Sequence, residues 1–200
     1  MLFENIDDGV VVACSGGPDS MALLHFCTMR RKVDSVLHFE HGNTTFSRAS
    51  RDLVEQFCQA QNLRLHVVPL PRGKTEAEWH EMRVEEYRKQ SVTVVTGHTL
   101  DDALEWYLMT TFRGSPKFMP VDSNNVYRAM LATSRKDVRD YVDRHKVRCI
   151  DDPTNVGAFN DRAKLRVYFP RIDADFPHFR GMVLNHYRRE YAERRKHGQG

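Results

Sequence analysis

The sequence gives little support to several large classes of protein. It has only four cysteines, Cys14, Cys27, Cys58 and Cys149, and no CxxC pair. Each lies in an apolar setting, so they read as reduced core thiols rather than a disulfide framework or a metal-binding cysteine cluster. No run approaches the ~18 consecutive apolar residues of a membrane-spanning helix. The opening residues, MLFENIDDG, carry acids and no basic region, unlike a secretory signal, and a cytoplasmic location is expected. Internal repeats and low-complexity tracts are missing, which argues against solenoids and disordered tails. A large charge of one sign is missing too. The formal net charge is +3 over 200 residues, compatible with a polyanionic partner without requiring one. The distribution says more, because Arg188, Arg189, Arg194, Arg195 and Lys196 crowd together near the end.

What is present is alternation. Short β-branched or apolar runs at 9–14, 33–41, 63–70 and 92–98 read as strands, and a shorter run at 127–131 as a fifth. Helical periodicity fills 19–31, 46–61, 75–90 and 101–112. Strict alternation predicts an α/β fold, a Rossmann-like parallel sheet of about five strands with helices on both faces. Beyond residue 113 the pattern loosens. Ser134 reads as the N-cap of a helix over 135–146, and two more helical segments, about 158–169 and 177–196, are separated by breaks at Pro170 and Pro177. We expect a core domain over 1–133 and a helical part over 134–200, packed on or beside it.

The first strand ends abruptly in SGGPDS, Ser15 to Ser20. Small residues after a parallel strand leave backbone N–H groups uncovered, and the next helix adds its own free N–H groups and positive dipole end. That combination binds anions, phosphate above all. Gly16 and Gly17 permit close approach, and Ser15 and Ser20 offer hydroxyls. Asp19 repels phosphate unless a cation lies between them, so the loop points to a nucleotide with Mg²⁺. The loop is neither GxxxxGK[ST] nor GxGxxG. A plain strand–helix turn is the competing reading.

Taken with its setting, SGGPDS resembles the PP-loop (SGGxDS) of the N-type ATP pyrophosphatases, which cleave ATP to AMP and pyrophosphate while adenylating a carbonyl oxygen. Four further segments resemble the tRNA(Ile)-lysidine synthetases within that superfamily. LHFEHGN (37–43) matches HxNHGLR at His38, His41 and Gly42, with Glu40 in place of Asn. TGHTLDDALEWYLMTTFRG (96–114) matches T-x-H-H-x-D-D-x-x-E-T and the following Arg-Gly at His98, Asp101, Asp102, Glu105, Arg113 and Gly114, with Thr99 in place of the second His. EMRVEEYRK matches A-R-x-x-R-Y at Arg83 and Tyr87, with Glu86 in place of Arg. DDPTNVGAFNDRAKLRVYFP (151–170) carries Asp152, Thr154, Asn155, Arg162, Arg166 and Pro170 in register, with Ala163 in place of Asn. The resemblance spans about residues 10–170.

It implies an adenine nucleotide alpha hydrolase-like fold and a ligase that attaches lysine to C2 of the first anticodon cytidine of tRNA(Ile). ATP and Mg²⁺ are implied as cofactors. The ATP site would comprise Ser15, Gly16, Gly17, Pro18, Asp19, Ser20, His38, Gly97 and His98. Asp102, His98, Asp19 and Arg83 would be catalytic, with Asp19 and Asp102 on the metal. Arg83, Arg113, Asn155, Arg162 and Arg166 would contact the tRNA, which carries a CAU anticodon. The partners implied are that tRNA and free lysine, with no membrane; monomer and homodimer both stay open. Each position also has a plainer reading: core or surface histidines, a capping role for Asp101 more than for Asp102, and a solvated basic face for Arg83, Arg162 and Arg166. A 2-thiocytidine-type enzyme and a non-catalytic nucleotide- or RNA-binding module are the other functions to weigh.

Overall fold

The computed structural model describes residues 3–42, 44–151 and 161–197. The first strand, β1 (Val10–Ala13), is buried on both sides: Val10 and Val12 join the main core cluster, and Val11 joins a smaller one. An uninterrupted apolar run is what a central parallel strand requires. Then come α1 (Pro18–Met29), β2 (Val33–His41), α2 (Thr45–Ala60), β3 (Arg64–Leu70), α3 (Glu76–Lys89), β4 (Val94–Thr99) and α4 (Leu100–Phe112). The remainder is β5 (Asp122–Ser123), β6 (Val126–Met130), α5 (Arg135–His145), α6 (Asp161–Asp175) and α7 (Pro177–His197).

The sheet order is β3-β2-β1-β4-β6-β5. Every pairing is parallel except β5 with β6. Helices lie on both faces. Trp79, Met82 and Tyr87 of α3 cover the smaller cluster, while Met21, Leu24, Leu104 and Val138, from α1, α4 and α5, build the larger. Pro69 sits in β3, an edge strand, where a missing N–H is tolerated.

Two features depart from the sequence expectation. The sheet has a sixth, two-residue strand, β5, joined to β6 by Asn124 and Asn125, both left-handed (φ 53° and 63°). Two consecutive left-handed residues make the tight turn that suits an antiparallel hairpin, and asparagine tolerates them. The helix α6 also continues through Pro170 instead of ending there. Its buried Ala163 and Leu165 hold it from the inside, and beyond the proline the Ile172 carbonyl accepts the Phe176 N–H at 2.8 Å.

The chain runs outward from β1 through β2 to β3, then returns to β4 on the other side of β1. This reversal makes the carboxyl ends of β1 and β4 the topological switch point, where open α/β sheets bind ligands. Ala13 pairs with Thr96 there, and α1 and α4 both start from that edge.

Candidate active site

The loop after β1 is shaped from within. Ser20, buried on the first turn of α1, accepts the Ser15 N–H at 3.1 Å and donates to the Gly17 carbonyl at 3.0 Å. Its hydroxyl therefore holds the loop's curve, while Ser15 is exposed. Gly16 has φ +86°, and a Cβ there would fall 2.5 Å from Ser50 Oγ. Gly17 is the N-cap, and Pro18 occupies the first helical turn, where its missing N–H costs nothing. The amides of that first turn have no intrahelical acceptor and open onto the switch point.

Gly97, near the end of β4, touches the start of α1. A Cβ on it would lie 3.0 Å from the Asp19 carbonyl carbon and oxygen and 3.1 Å from Ser20 N. Only a glycine lets β4 approach the loop this closely. His98 Nδ1 lies 2.9 Å from Thr96 Oγ1, and burial pushes its imidazole down to about 4, although Asp102 pulls the other way. It is neutral at physiological pH. His38 is buried at the end of β2, with Nδ1–H donating to the Cys14 carbonyl at 2.8 Å. That fixes Nε2 as a bare acceptor, and it has no partner among the described residues.

The acids follow. Burial, with the Asp102 charge adding to it, pushes the Asp19 carboxyl up to about 6 against the pull of Arg135 and Arg139. Asp19 Oδ1 is buried and has no hydrogen-bond partner among the described residues. Asp102 Oδ2 accepts from Thr99 N at 2.9 Å and Thr99 Oγ1 at 2.8 Å, and Oδ1 accepts from Arg135 Nη2 at 3.1 Å. Burial would raise Asp102, but Arg135, the Thr99 N–H and Arg162 outweigh it and hold the carboxyl below its usual range. Asp102 stays an anion.

The capping expectation is thereby reversed. Asp102, three residues past Thr99, reaches back to cap α4, whereas Asp101 accepts the Arg135 backbone N–H of α5 at 2.7 Å and pairs with Arg180 at 3.2 Å. The third residue of a helix can fold back onto its N-cap; the second is aimed across to the next helix.

Glu105 is fully buried one turn below Asp102. Arg166 meets it with two bonds, Nε to Oε1 at 2.7 Å and Nη2 to Oε2 at 3.2 Å, and Arg162 Nε adds a third at 3.2 Å. The Arg162 guanidinium also reaches within 3.5 Å of Asp102. Arg162 and Arg166 thus share one helix face as their spacing predicts, and that face turns inward onto carboxylates. Arg83 stands on α3 and pairs with Glu76 at 2.6 Å; its charge is among those felt by His98. Arg113 is exposed at the far end of α4, roughly 16 Å along the helix axis from Asp102. Asn155, with Asp152 and Thr154, lies outside the described residues.

Two members of the cluster were not among the candidates. Glu105 matched the motif without being given a role. Arg135 sits 3.9 Å from Asp19, 3.1 Å from Asp102 and 3.6 Å from Glu105, and so joins all three acids. A signal existed for it: a cation in the first turn of a helix opposes the helix dipole, so something else must hold it.

A family model described as a PP-loop domain matches residues 2–171. The chain belongs to the PP-loop domain family. Within curated proteins, it is 30% identical over 200 residues to the tRNA(Ile)-lysidine synthase of Neisseria gonorrhoeae, covering 88% of this chain and 44% of that one. It is 32% identical over 166 residues to the enzyme of the same name from Bdellovibrio bacteriovorus, covering 74% and 52%. The chain thus spans about half the length of these relatives. Among solved structures, the U34-tRNA thiolase NcsA from Methanococcus maripaludis superposes with a TM-score of 0.70 over 96% of this chain and 74% of that one, at 14% identity. That likeness is one of fold. Membership in the PP-loop family implies use of ATP. No described helix is long and apolar enough to cross a membrane.

Proposed function

We propose that this PP-loop protein ligates lysine to C2 of the first anticodon cytidine of tRNA(Ile). ATP adenylates the C2 oxygen with release of pyrophosphate, and the lysine ε-amine then displaces AMP. The observation that carries the reading is the meeting of the glycine-rich loop with Asp19 and Asp102 at one switch point. The likeness to tRNA(Ile)-lysidine synthases supplies the substrate. In this reading the amides of residues 15–20 hold the triphosphate, with Gly97 allowing the close approach. His98 and His38 are neutral hydrogen-bonding groups beside it, and the His38 Nε2 acceptor suits a nucleotide donor. Asp102, kept anionic, suits holding a cation, whether a metal or the lysine ammonium, better than taking up a proton. The helices α5 and α7, beyond residue 133, share one core with the sheet instead of forming a separate unit.

Mg²⁺ fits the residues present. The orphaned Asp19 Oδ1, in a carboxyl already destabilised as an anion by burial and by the Asp102 charge, is what a divalent cation would relieve. Asp19 and Asp102 would hold it. It would supply neutralisation of triphosphate charge.

A sulfur-transfer reading is less favoured. Burial pushes Cys14 up to about 11 and Cys27 and Cys58 up to about 12, so these thiols are protonated at neutral pH and poor nucleophiles. The test is mass spectrometry of tRNA(Ile) incubated with protein, ATP, Mg²⁺ and lysine. A lysine adduct on the anticodon cytidine is expected, and Asp102→Ala should abolish it while the fold persists. Sulfur-dependent product, or bound ATP without pyrophosphate release, would replace this reading.

A further inference from the structure

One surface feature lies outside the carboxylate cluster. A groove of about 600 Å³ runs along the seam between α4 and α6, lined by Met109, Phe112 and Arg113 on one side and Lys164, Tyr168 and Ile172 on the other. The volume falls within the ordinary range for small-ligand sites. The groove continues the active-site face of α4: Met109 is one turn beyond Glu105, about 6 Å along the axis, and Arg113 about 12 Å. Phe112 is 72% exposed and Tyr168 62% exposed, so two aromatic side chains stand open to solvent at one groove. Among the described residues, the charged members of its lining are cations, Arg113 and Lys164, and none is a carboxylate.

We propose that this groove binds an unpaired nucleotide of single-stranded RNA, its base stacked on Tyr168 or Phe112 and its phosphate met by Arg113 and Lys164. Every base has a π-face, so aromatic side chains beside cations make a general platform for single strands. Acids on the rim would have favoured a basic peptide instead. The placement, about two to three helical turns along α4 from Asp102, lets a neighbour of the reacting nucleotide occupy the groove while that nucleotide reaches the switch point. Calling that neighbour part of the substrate rests on the ligase reading above; the binding of single-stranded RNA does not.

The test uses a fluorescein-labelled single-stranded octaribonucleotide and anisotropy across a salt series. Tyr168→Ala should weaken binding roughly tenfold, with Tyr168→Phe near wild type. Arg113→Ala should weaken it and lower the salt slope by about one. A protein that binds the oligonucleotide in this pattern yet adds no lysine to tRNA(Ile) would refute the ligase reading and leave the groove standing, so the two failures give different patterns. On the unaltered protein, a 4-thiouridine oligonucleotide should crosslink to Phe112 or Tyr168 under ultraviolet light, which decides the matter if a variant folds poorly. Unchanged affinity in both Ala variants, or crosslinks only elsewhere, would overturn the proposal. So would a dimer that Tyr168→Ala converts to monomer, since the groove would then be an interface between copies.

Discussion

Asp19 and Asp102 share one counter-ion, Arg135, and have been pushed in opposite directions. Asp102 has the closer cation and two donors from Thr99; Asp19 has an orphaned oxygen. An acid whose folded pKa, about 6, exceeds its ordinary 3.8 binds its proton more tightly in the fold. Its ionisation withdraws stability as pH rises from about 4 to about 6, by on the order of 2–3 kcal/mol, and nothing more above that. Asp19→Asn should therefore be more stable than wild type at pH 8 by about that amount, and nearly equal at pH 4. Urea unfolding at several pH values without Mg²⁺ measures this, and a difference that ignores pH would contradict the assigned acidity. The same variant should lose pyrophosphate release, because the amide cannot offset a cation's charge. Arg135→Ala removes the cation common to three acids and should cost about 2 kcal/mol, seen as a drop in melting temperature of roughly 4–8 °C. A still higher Asp19 pKa, followed by NMR titration of the carboxyl, would accompany it.

Among the elements, the joint between β4 and α1 is the least tolerant. Gly97 faces backbone atoms of Asp19 and Ser20, which cannot swing aside as a side-chain tip would. Gly97→Ala should push β4 off the start of α1, lowering ATP affinity at least tenfold by calorimetry and the melting temperature by several degrees. Normal ATP affinity would show that the loop can shift at no cost to its binding geometry. Most elements were legible before the structure. The β-branched runs announced the parallel strands, and Ser134 announced α5, whose N-cap accepts Asp137 N at 3.1 Å. Periodicity and caps are local signals, and these succeeded. The two-residue β5 was not legible, because a strand that short has no period; only the paired asparagines hinted at it. The inward aim of Arg162 and Arg166 was not legible either. Helical spacing says that two side chains share a face, but not whether that face meets RNA or a buried Glu105 on another helix. Arg135 was missed for the same reason, since its partners lie 30 or more positions away in sequence.

At the scale of the molecule, the question is whether the helical part after residue 133 is a separate unit. Val183, Tyr187 and Tyr191 of α7 belong to the same buried cluster as Val12, Val95 and Met130 of the sheet. Tyr187 donates to the Met119 carbonyl at 3.0 Å. Tyr191 accepts the Leu131 N–H at 3.0 Å and donates to the Arg128 carbonyl, so one hydroxyl serves the end of β6 and the turn that follows it. A core shared in this way has no internal boundary at which one part can melt while the other persists. We predict a single calorimetric transition for the whole chain, and failure of a 1–133 fragment to fold by itself. Tyr191→Phe keeps the ring's apolar contact and removes only the hydroxyl, leaving the Leu131 N–H and the Arg128 carbonyl buried without it. That should cost about 2 kcal/mol and lower the one transition by roughly 4–8 °C without splitting it. Two resolved transitions in the variant would mean that α7 rides on the sheet as a separately melting unit. The basic residues near the end of α7 would then be carried on an arm, whereas a single transition fixes them relative to the switch point.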